Sequence, residues 1–324
     1  MRRGVPSHRR ASAAGDTMST IDGKYWTAYH ADTVEVARAL PSDSVDFAVF
    51  SPPFASLYTY SNSPRDMGNV KNDAEFFEHY GFLIREQFRV MKPGRNTSIH
   101  CMLMPTSKER DGYIGLRDFR GDIIRAYQAA GFIFHSEVVI WKDPVTAMQR
   151  TKALGLLHKT IRKDSAMSRQ GIPDYVVTMR KPGRNPDPIA HVKGTASELP
   201  VSLWQRYASP VWTDIDPSDT LQHRSAREDD DERHICPLQL GVIRRCTELW
   251  SNVGDIVWSP FMGIGSEGVV ALEMGRRFIG AELKGSYFEQ ACRNLHEAAT
   301  TKQTSLFGDV GTAASSASIH MDHS

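Results

Sequence analysis

The sequence predicts an α/β protein, a doubly wound and mostly parallel sheet interrupted by an inserted region. Three observations lead there. Apolar runs of strand length alternate with segments of helical spacing, the pattern of parallel strands joined by covering helices. A Pro-Pro turn, Ser51-Pro52-Pro53-Phe54, closes a strand in the first quarter of the chain. A Gly-rich turn, Gly263-Ile264-Gly265-Ser266-Glu267-Gly268, closes another near the carboxyl end.

The elements follow in order. Residues 1–20 are basic and small with no apolar stretch, so a disordered lead is expected, with Met18 as an alternative start to Met1. Val45 to Phe50 is an apolar strand stopped by two prolines, which cannot continue a ladder. Asp73 to Met91 repeats Phe76, Phe77, Tyr80, Leu83, Ile84 and Phe88 at helical spacing. Strands are expected over Thr97–Met104, Phe132–Trp141 and Asp174–Met179, with a helix over Asp118–Ala130. Lys181 to Asp231 is rich in Pro, Asp, Ser and Arg without a sustained period, as an insertion or small recognition domain would be. Regular structure resumes at Pro237 with a helix to Leu249, a strand over Asp255–Trp258, a helix from about Gly268 to Met274, a strand over Arg277–Ala281 and a helix over Tyr287–Ala298. Past Thr300 the chain is polar apart from Leu306 and Phe307, and a flexible tail is expected. The organisation is therefore a lead (1–20), a first half carrying the Pro-Pro turn and a basic loop at 143–171 (21–182), an insertion (183–232), a second half carrying the Gly turn (233–298) and a tail (299–324).

Composition excludes several classes. With 324 residues, 40% hydrophobic and 24% charged, the chain can bury a core of its own and is neither collagenous nor disordered as a whole. Lys and Arg number 39 against 38 Asp and Glu, so any surface for a polyanion must be local. The four cysteines are scattered, with no C-x-x-C pair and no secretory leader, which predicts a reduced, cytoplasmic protein without a structural zinc site. No stretch approaches the ~20 apolar residues of a membrane span. The acidic run Glu228 to Glu232 lacks histidine spacing and reads as a solvated linker, so no metal is expected.

The Gly turn follows a strand and opens a helix. Glycines there let backbone approach a ligand closely, and the helix start offers free N–H groups. Glu282, seventeen residues after Gly265 at the end of the next strand, faces where the ribose hydroxyls of a nucleotide-like cofactor would lie. Gly263-x-Gly265-x-x-Gly268 also fits the dinucleotide fingerprint, and taken alone it fits an ordinary tight turn. At the Pro-Pro turn, the Ser51 hydroxyl and the carbonyls beside the prolines are acceptors for an amino group, and the Phe54 ring can stack on a planar base.

Taken together, Ser51-Pro52-Pro53-Phe54 after a strand, Asp255 with Pro260-Phe261-Met262-Gly263-x-Gly265, Phe278 to Leu283, and Tyr287 resemble the amino-methyltransferases of DNA. The Pro-Pro turn comes first and the Gly turn last, the order of that family's beta group. The resemblance covers about residues 25–298. It implies the class I methyltransferase (Rossmann-like) fold, with a target-recognition insertion at 183–232. It also implies transfer of a methyl from S-adenosylmethionine to the exocyclic nitrogen of a base flipped out of double-stranded DNA. Carried onto this sequence, Ser51, Pro52, Pro53 and Phe54 form the catalytic turn. Asp32 lies near the cofactor adenine, Pro237 beside its methionine end, and Pro260, Phe261, Gly263, Gly265, Ser266 and Glu282 complete the cofactor site. Many members have Asp where this chain has Ser51 and Tyr where it has Phe54. Ser resembles the cytosine N4 group, so cytosine N4 is expected ahead of adenine N6. Ile264 and Glu267 stand where the family usually has Ser and Thr, a departure expected to bear on cofactor affinity. No Pro-Cys pair is present, and methylation at cytosine C5 is rejected on that ground.

The stretch 146–185 carries nine basic residues against two acidic ones, a net +7. Arg150, Lys152, Lys159, Arg162, Lys163 and Arg169 within it are the expected DNA contacts. Gln303-Thr304-Ser305-Leu306-Phe307 resembles the pentapeptide by which bacterial proteins dock on the replication sliding clamp, with Gln303, Leu306 and Phe307 as anchors. A monomer or homodimer is expected. Two readings compete: a NAD-linked oxidoreductase built on the Gly turn, and a catalytically inactive DNA-binding module of the same fold.

Overall fold

The computed structural model describes residues 18–54, 73–151, 154–195, 198–221 and 237–311. Nine strands form the main sheet: β1 (Ser19–Asp22), β2 (Trp26–His30), β3 (Phe47–Phe50), β4 (Asn96–Met102), β7 (Ile133–Ile140), β8 (Asp174–Arg180), β9 (Val211–Trp212), β10 (Ile256–Ser259) and β11 (Arg277–Glu282). Strands β5 (Met104–Pro105) and β6 (Leu116–Arg117) make a separate pair. The helices are α1 (Thr33–Ala39), α2 (Asp73–Val90), α3 (Lys108–Asp111), α4 (Phe119–Ala129), α5 (Pro144–Thr151), α6 (His158–Lys163), α7 (Val201–Tyr207), α8 (Leu240–Trp250), α9 (Ser266–Glu273) and α10 (Gly285–Gly311).

The sheet runs β1-β2-β11-β10-β3-β4-β8-β7-β9. Strands β2, β11, β10, β3 and β4 are parallel, and the central β10, β3 and β4 are buried on both faces. One core lies on the α1, α2 and α4 side around Tyr80, Ile84 and Phe119, and the other on the α8, α9 and α10 side around Val242, Val270 and Leu295. This is the doubly wound arrangement expected, and order reverses between β10 and β3, where open α/β sheets bind ligands.

Four features depart from the sequence reading. Strand β8 is antiparallel to both β4 and β7, because the segment between β7 and β8 is a set of short helices rather than one crossover helix. The insertion contributes α7 and β9, and β9 extends the sheet beside β7. Arg245 on α8 fastens it, with Nη2 2.8 Å from Asp214 and the guanidinium 5.0 Å from the Trp212 ring. The lead is shorter than expected, since Ser19 and Thr20 already pair with His30 and Tyr29. The last helix continues to Gly311 rather than giving way to a tail at 299, as no Pro or Gly interrupts it before Gly308. The side chains of Gln303, Leu306 and Phe307 on it lie outside the described residues, as do residues 1–17 and the acidic run at 228–232.

At the amino ends of the parallel strands, buried Arg95 joins three elements. Its Nη1 donates to Asp255 at 2.8 Å, and its Nη2 lies 3.3 Å from Asp46, which also accepts from Lys92 at 2.6 Å and from the Ile256 N–H at 2.9 Å. Asp255 is thus a structural residue at the end of the sheet away from the ligand side.

Candidate active site

The carboxyl ends of β2, β11, β10, β3 and β4 open into one cleft of about 820 Å³. The two motifs meet there. Ser51, Pro52, Pro53 and Phe54 line it from β3, and Pro260, Phe261, Gly263, Ser266 and Glu282 line it from β10, α9 and β11, with Asp32 and Pro237 also in the wall. Gly265 is set behind the surface: it caps α9 in the left-handed region (φ 89°), and a Cβ on it would come within 3.3 Å of Ala291. Gly268 has a packing role, since a Cβ there would overlap Leu295 and Phe278.

Gly263 also has positive φ (50°), yet a Cβ on it would meet no protein atom within 4 Å. Its bare backbone therefore faces the cleft, a surface that a ligand can approach closely. Glu282 accepts from the Gly263 N–H and from the Lys284 N–H, each at 2.9 Å, so the carboxylate is fixed in place in the cleft wall. Asp32 is the N-cap of α1, and its Oδ1 accepts from Val34 at 2.8 Å and Glu35 at 3.2 Å. Glu267 is buried in the first turn of α9, and burial pushes its carboxyl up to about 8, with the charge of Glu282 adding to the shift.

On the other side of the cleft the two prolines turn the chain out of β3. The Phe54 ring rests edge-on against Phe119 at 6.2 Å. The Ser51 hydroxyl lies 3.0 Å from His100 Nδ1 and 3.4 Å from the His100 carbonyl oxygen. His100 Nε2 is 3.1 Å from Asp174 Oδ2, close but not aligned as a hydrogen bond. Asp174 also accepts from Lys142 at 2.6 Å. Burial alone would raise the Asp174 carboxyl, but His100 and Lys142 outweigh it and hold it below the usual carboxylate range.

Trp141, Lys142, His100 and Asp174 are cleft residues that the sequence analysis did not single out. Arg169 lies in the cleft wall, while Lys159, Arg162 and Lys163 are exposed on or beside α6, between the lining residues Leu156 and Arg169 in sequence. The Arg150 side chain and Lys152 lie outside the described residues. Part of the +7 count lies elsewhere: Lys181 donates to Asp43 at 2.7 Å and to the Met91 carbonyl at 2.8 Å, at the sheet end remote from the cleft. None of the three described cysteines lines the cleft, and burial pushes the Cys101 thiol up, so no thiolate is available there among the described residues.

Residues 45–293 match the DNA methylase (N6/N4 methyltransferase) family. The chain belongs to that family. The methylase is 26% identical over 269 residues to the type II methyltransferase M.BglII of Bacillus subtilis, covering 82% of this chain and 68% of that one. It is 23% identical over 280 residues to the DNA adenine methyltransferase YhdJ of Escherichia coli K12, with 83% and 82% covered. Its fold is like that of a DNA modification methylase from Thermus thermophilus solved with S-adenosyl-L-methionine, with a TM-score of 0.59 and 24% identity over 83% of this chain and 93% of that chain. It is also like the cytosine-N4-specific PvuII DNA methyltransferase, with a TM-score of 0.58 and 16% identity over 88% and 94%. These are class I methyltransferase folds, and with this membership the methylase is a DNA amino-methyltransferase. Neither a NAD-linked oxidoreductase nor an inactive module finds support in these comparisons. Among the described residues no helix is long and apolar enough to cross a membrane.

Proposed function

We propose that the methylase transfers a methyl group from S-adenosylmethionine to N4 of a cytosine flipped out of duplex DNA. The observation that carries this reading is the meeting of Gly263, Glu282 and Ser51 in one cleft at the carboxyl ends of adjacent strands. The bare Gly263 backbone and the Glu282 carboxylate suit a nucleoside ligand: close approach on one side, an acceptor for ribose hydroxyls on the other. When bound, S-adenosylmethionine supplies a sulfonium-activated methyl group. The Ser51 hydroxyl and the Pro52 carbonyl accept from the amino hydrogens and favour a pyramidal nitrogen, whose lone pair is otherwise delocalised into the base. Such positioning requires no covalent enzyme intermediate. Phe54, steadied by Phe119, stacks on the base. Ser51 at the head of the Pro-Pro turn favours cytosine over adenine, by its resemblance to the N4 group.

Lys159, Arg162, Lys163 and Arg169, with Arg150 and Lys152, supply phosphate contacts beside the cleft. The insertion, which sends Ile215 and Pro217 into the cleft wall, supplies base readout. The test is a parallel calorimetric titration with S-adenosylmethionine and NAD, followed by incubation with unmethylated DNA and methyl-tritiated S-adenosylmethionine. Binding of the first alone and label on DNA support the reading; binding of NAD, or no label on DNA, contradicts it.

A further inference from the structure

We propose that the buried His100–Asp174 pair is the proton acceptor of the methylation reaction, working through the Ser51 hydroxyl; this rests on the function proposed above. His100 sits on β4 with 9% of its surface exposed, and Asp174 at the start of β8 with 3%. The antiparallel pairing of these strands brings the two side chains to the same end of the sheet, beside Ser51 at the end of β3. Asp174, held ionised by Lys142, places its carboxylate 3.1 Å from Nε2, and the proposal puts the ring proton on that nitrogen. Nδ1 is then an acceptor, 3.0 Å from Ser51 Oγ. Other charged groups lining the same cleft on this side are Asp143, beside Lys142 after β7, and Arg169.

The reaction leaves a proton to remove. As the nitrogen–methyl bond forms, the sulfonium–methyl bond breaks with its electron pair kept by sulfur, and the amino nitrogen carries one hydrogen too many. That N–H bond breaks toward Ser51 Oγ, while the hydroxyl proton of Ser51 passes to His100 Nδ1. The resulting imidazolium is neutralised by Asp174, which stays ionised. His100 does not touch the base; it is a positioning residue that orients the Ser51 hydroxyl and makes it an effective base. The arrangement gives Ser51 a role that a lone hydroxyl, a very weak base, does not fill.

The test compares the wild type with His100→Gln and Asp174→Asn. Glutamine retains hydrogen-bonding capacity toward Ser51 but takes no proton. We expect kcat to fall about 10²-fold in His100→Gln, within the usual range for general acid–base catalysis, with S-adenosylmethionine affinity and DNA KM near wild type. The pH–kcat profile of the wild type should lose its acid limb in that variant, whose side chain takes no proton. A purely structural role would instead lower affinity and melting temperature together and leave the limb in place. Histidine ¹⁵N spectra of the full chain supply a second readout: the Nε2–H tautomer is expected for His100, lost in Asp174→Asn. An active wild type whose His100→Gln variant keeps the same kcat and acid limb, or an Nδ1–H tautomer, overturns this proposal alone. A wild type that transfers no methyl to any DNA overturns the function on which it rests, and the relay with it.

Discussion

Gly263 donates its backbone N–H to Glu282 Oε2 at 2.9 Å, tying the turn after β10 to the end of β11. The carboxylate proposed to meet the cofactor ribose thus also holds the backbone proposed to approach the cofactor. Glu282→Ala should therefore weaken S-adenosylmethionine binding on two counts, by an order of magnitude or more, and Gly263→Val should do the same by filling the approach and straining a positive φ. Calorimetric titration of folded variants checks this. Unchanged affinity in Glu282→Ala would remove Glu282 from the cofactor site.

Ser51→Ala and Phe54→Ala should act on the base instead. Loss of the aligned Ser51 hydroxyl costs on the order of 10²-fold in rate, and loss of the Phe54 ring also slows transfer, both with S-adenosylmethionine affinity retained. Single-turnover methyl transfer measures the step directly, and wild-type rates in either variant would take the Pro-Pro turn out of the reaction.

Buried Glu267, with its carboxyl pushed up to about 8, links stability to pH. In the unfolded chain a glutamate titrates near ~4.3, so the folded protein holds a proton that the unfolded chain releases between these values. The contribution is fully present below the unfolded value and is lost as pH rises through about 8. Melting temperature should fall between pH 5 and pH 8 more steeply in the wild type than in Glu267→Gln, which carries no charge at either pH. Parallel slopes would show that Glu267 is not the group responsible.

Arg95 holds the opposite end of the sheet together. Removing a fully buried partner of two carboxylates should cost about 3–5 kcal/mol, so Arg95→Ala is expected to lower the denaturation midpoint sharply. Chemical denaturation with an unchanged midpoint would contradict this role.

Binding to DNA should weaken steeply with salt, and the slope should fall by about one for each phosphate-contacting cation removed. The double reversal Arg162→Glu, Lys163→Glu should flatten it, read as binding affinity across a salt series. An unaltered slope would mark α6 as a solvated surface.

Much of this was legible in the sequence because the relevant signals are local. Aromatic periodicity marks α2, the proline pair ends β3, and glycines at positive φ make the turn before α9. Long-range relations were not legible. Strand direction at β8 depends on how 144–173 packs, and β9 is two residues held by the Val139 and Trp141 N–H groups, too short to show a period. His100 and Asp174 are far apart in the chain, and each reads singly as one polar residue in or beside an apolar strand. The only hint was a histidine in a strand whose neighbours Ile99 and Cys101 are buried. Charge counting likewise could not tell Arg162, exposed beside the cleft, from Lys181, bound to Asp43 at the other end of the sheet.

The identity of the methylated nucleoside decides whether Ser51 heads a cytosine-N4 site. Unmethylated genomic DNA is incubated with the purified protein and methyl-labelled S-adenosylmethionine, digested to nucleosides and resolved by mass spectrometry. Label is expected in N4-methyldeoxycytidine. Label in N6-methyldeoxyadenosine would contradict the assignment drawn from Ser51, and label in 5-methyldeoxycytidine, or none in DNA, would contradict the amino-methylation chemistry built on this cleft.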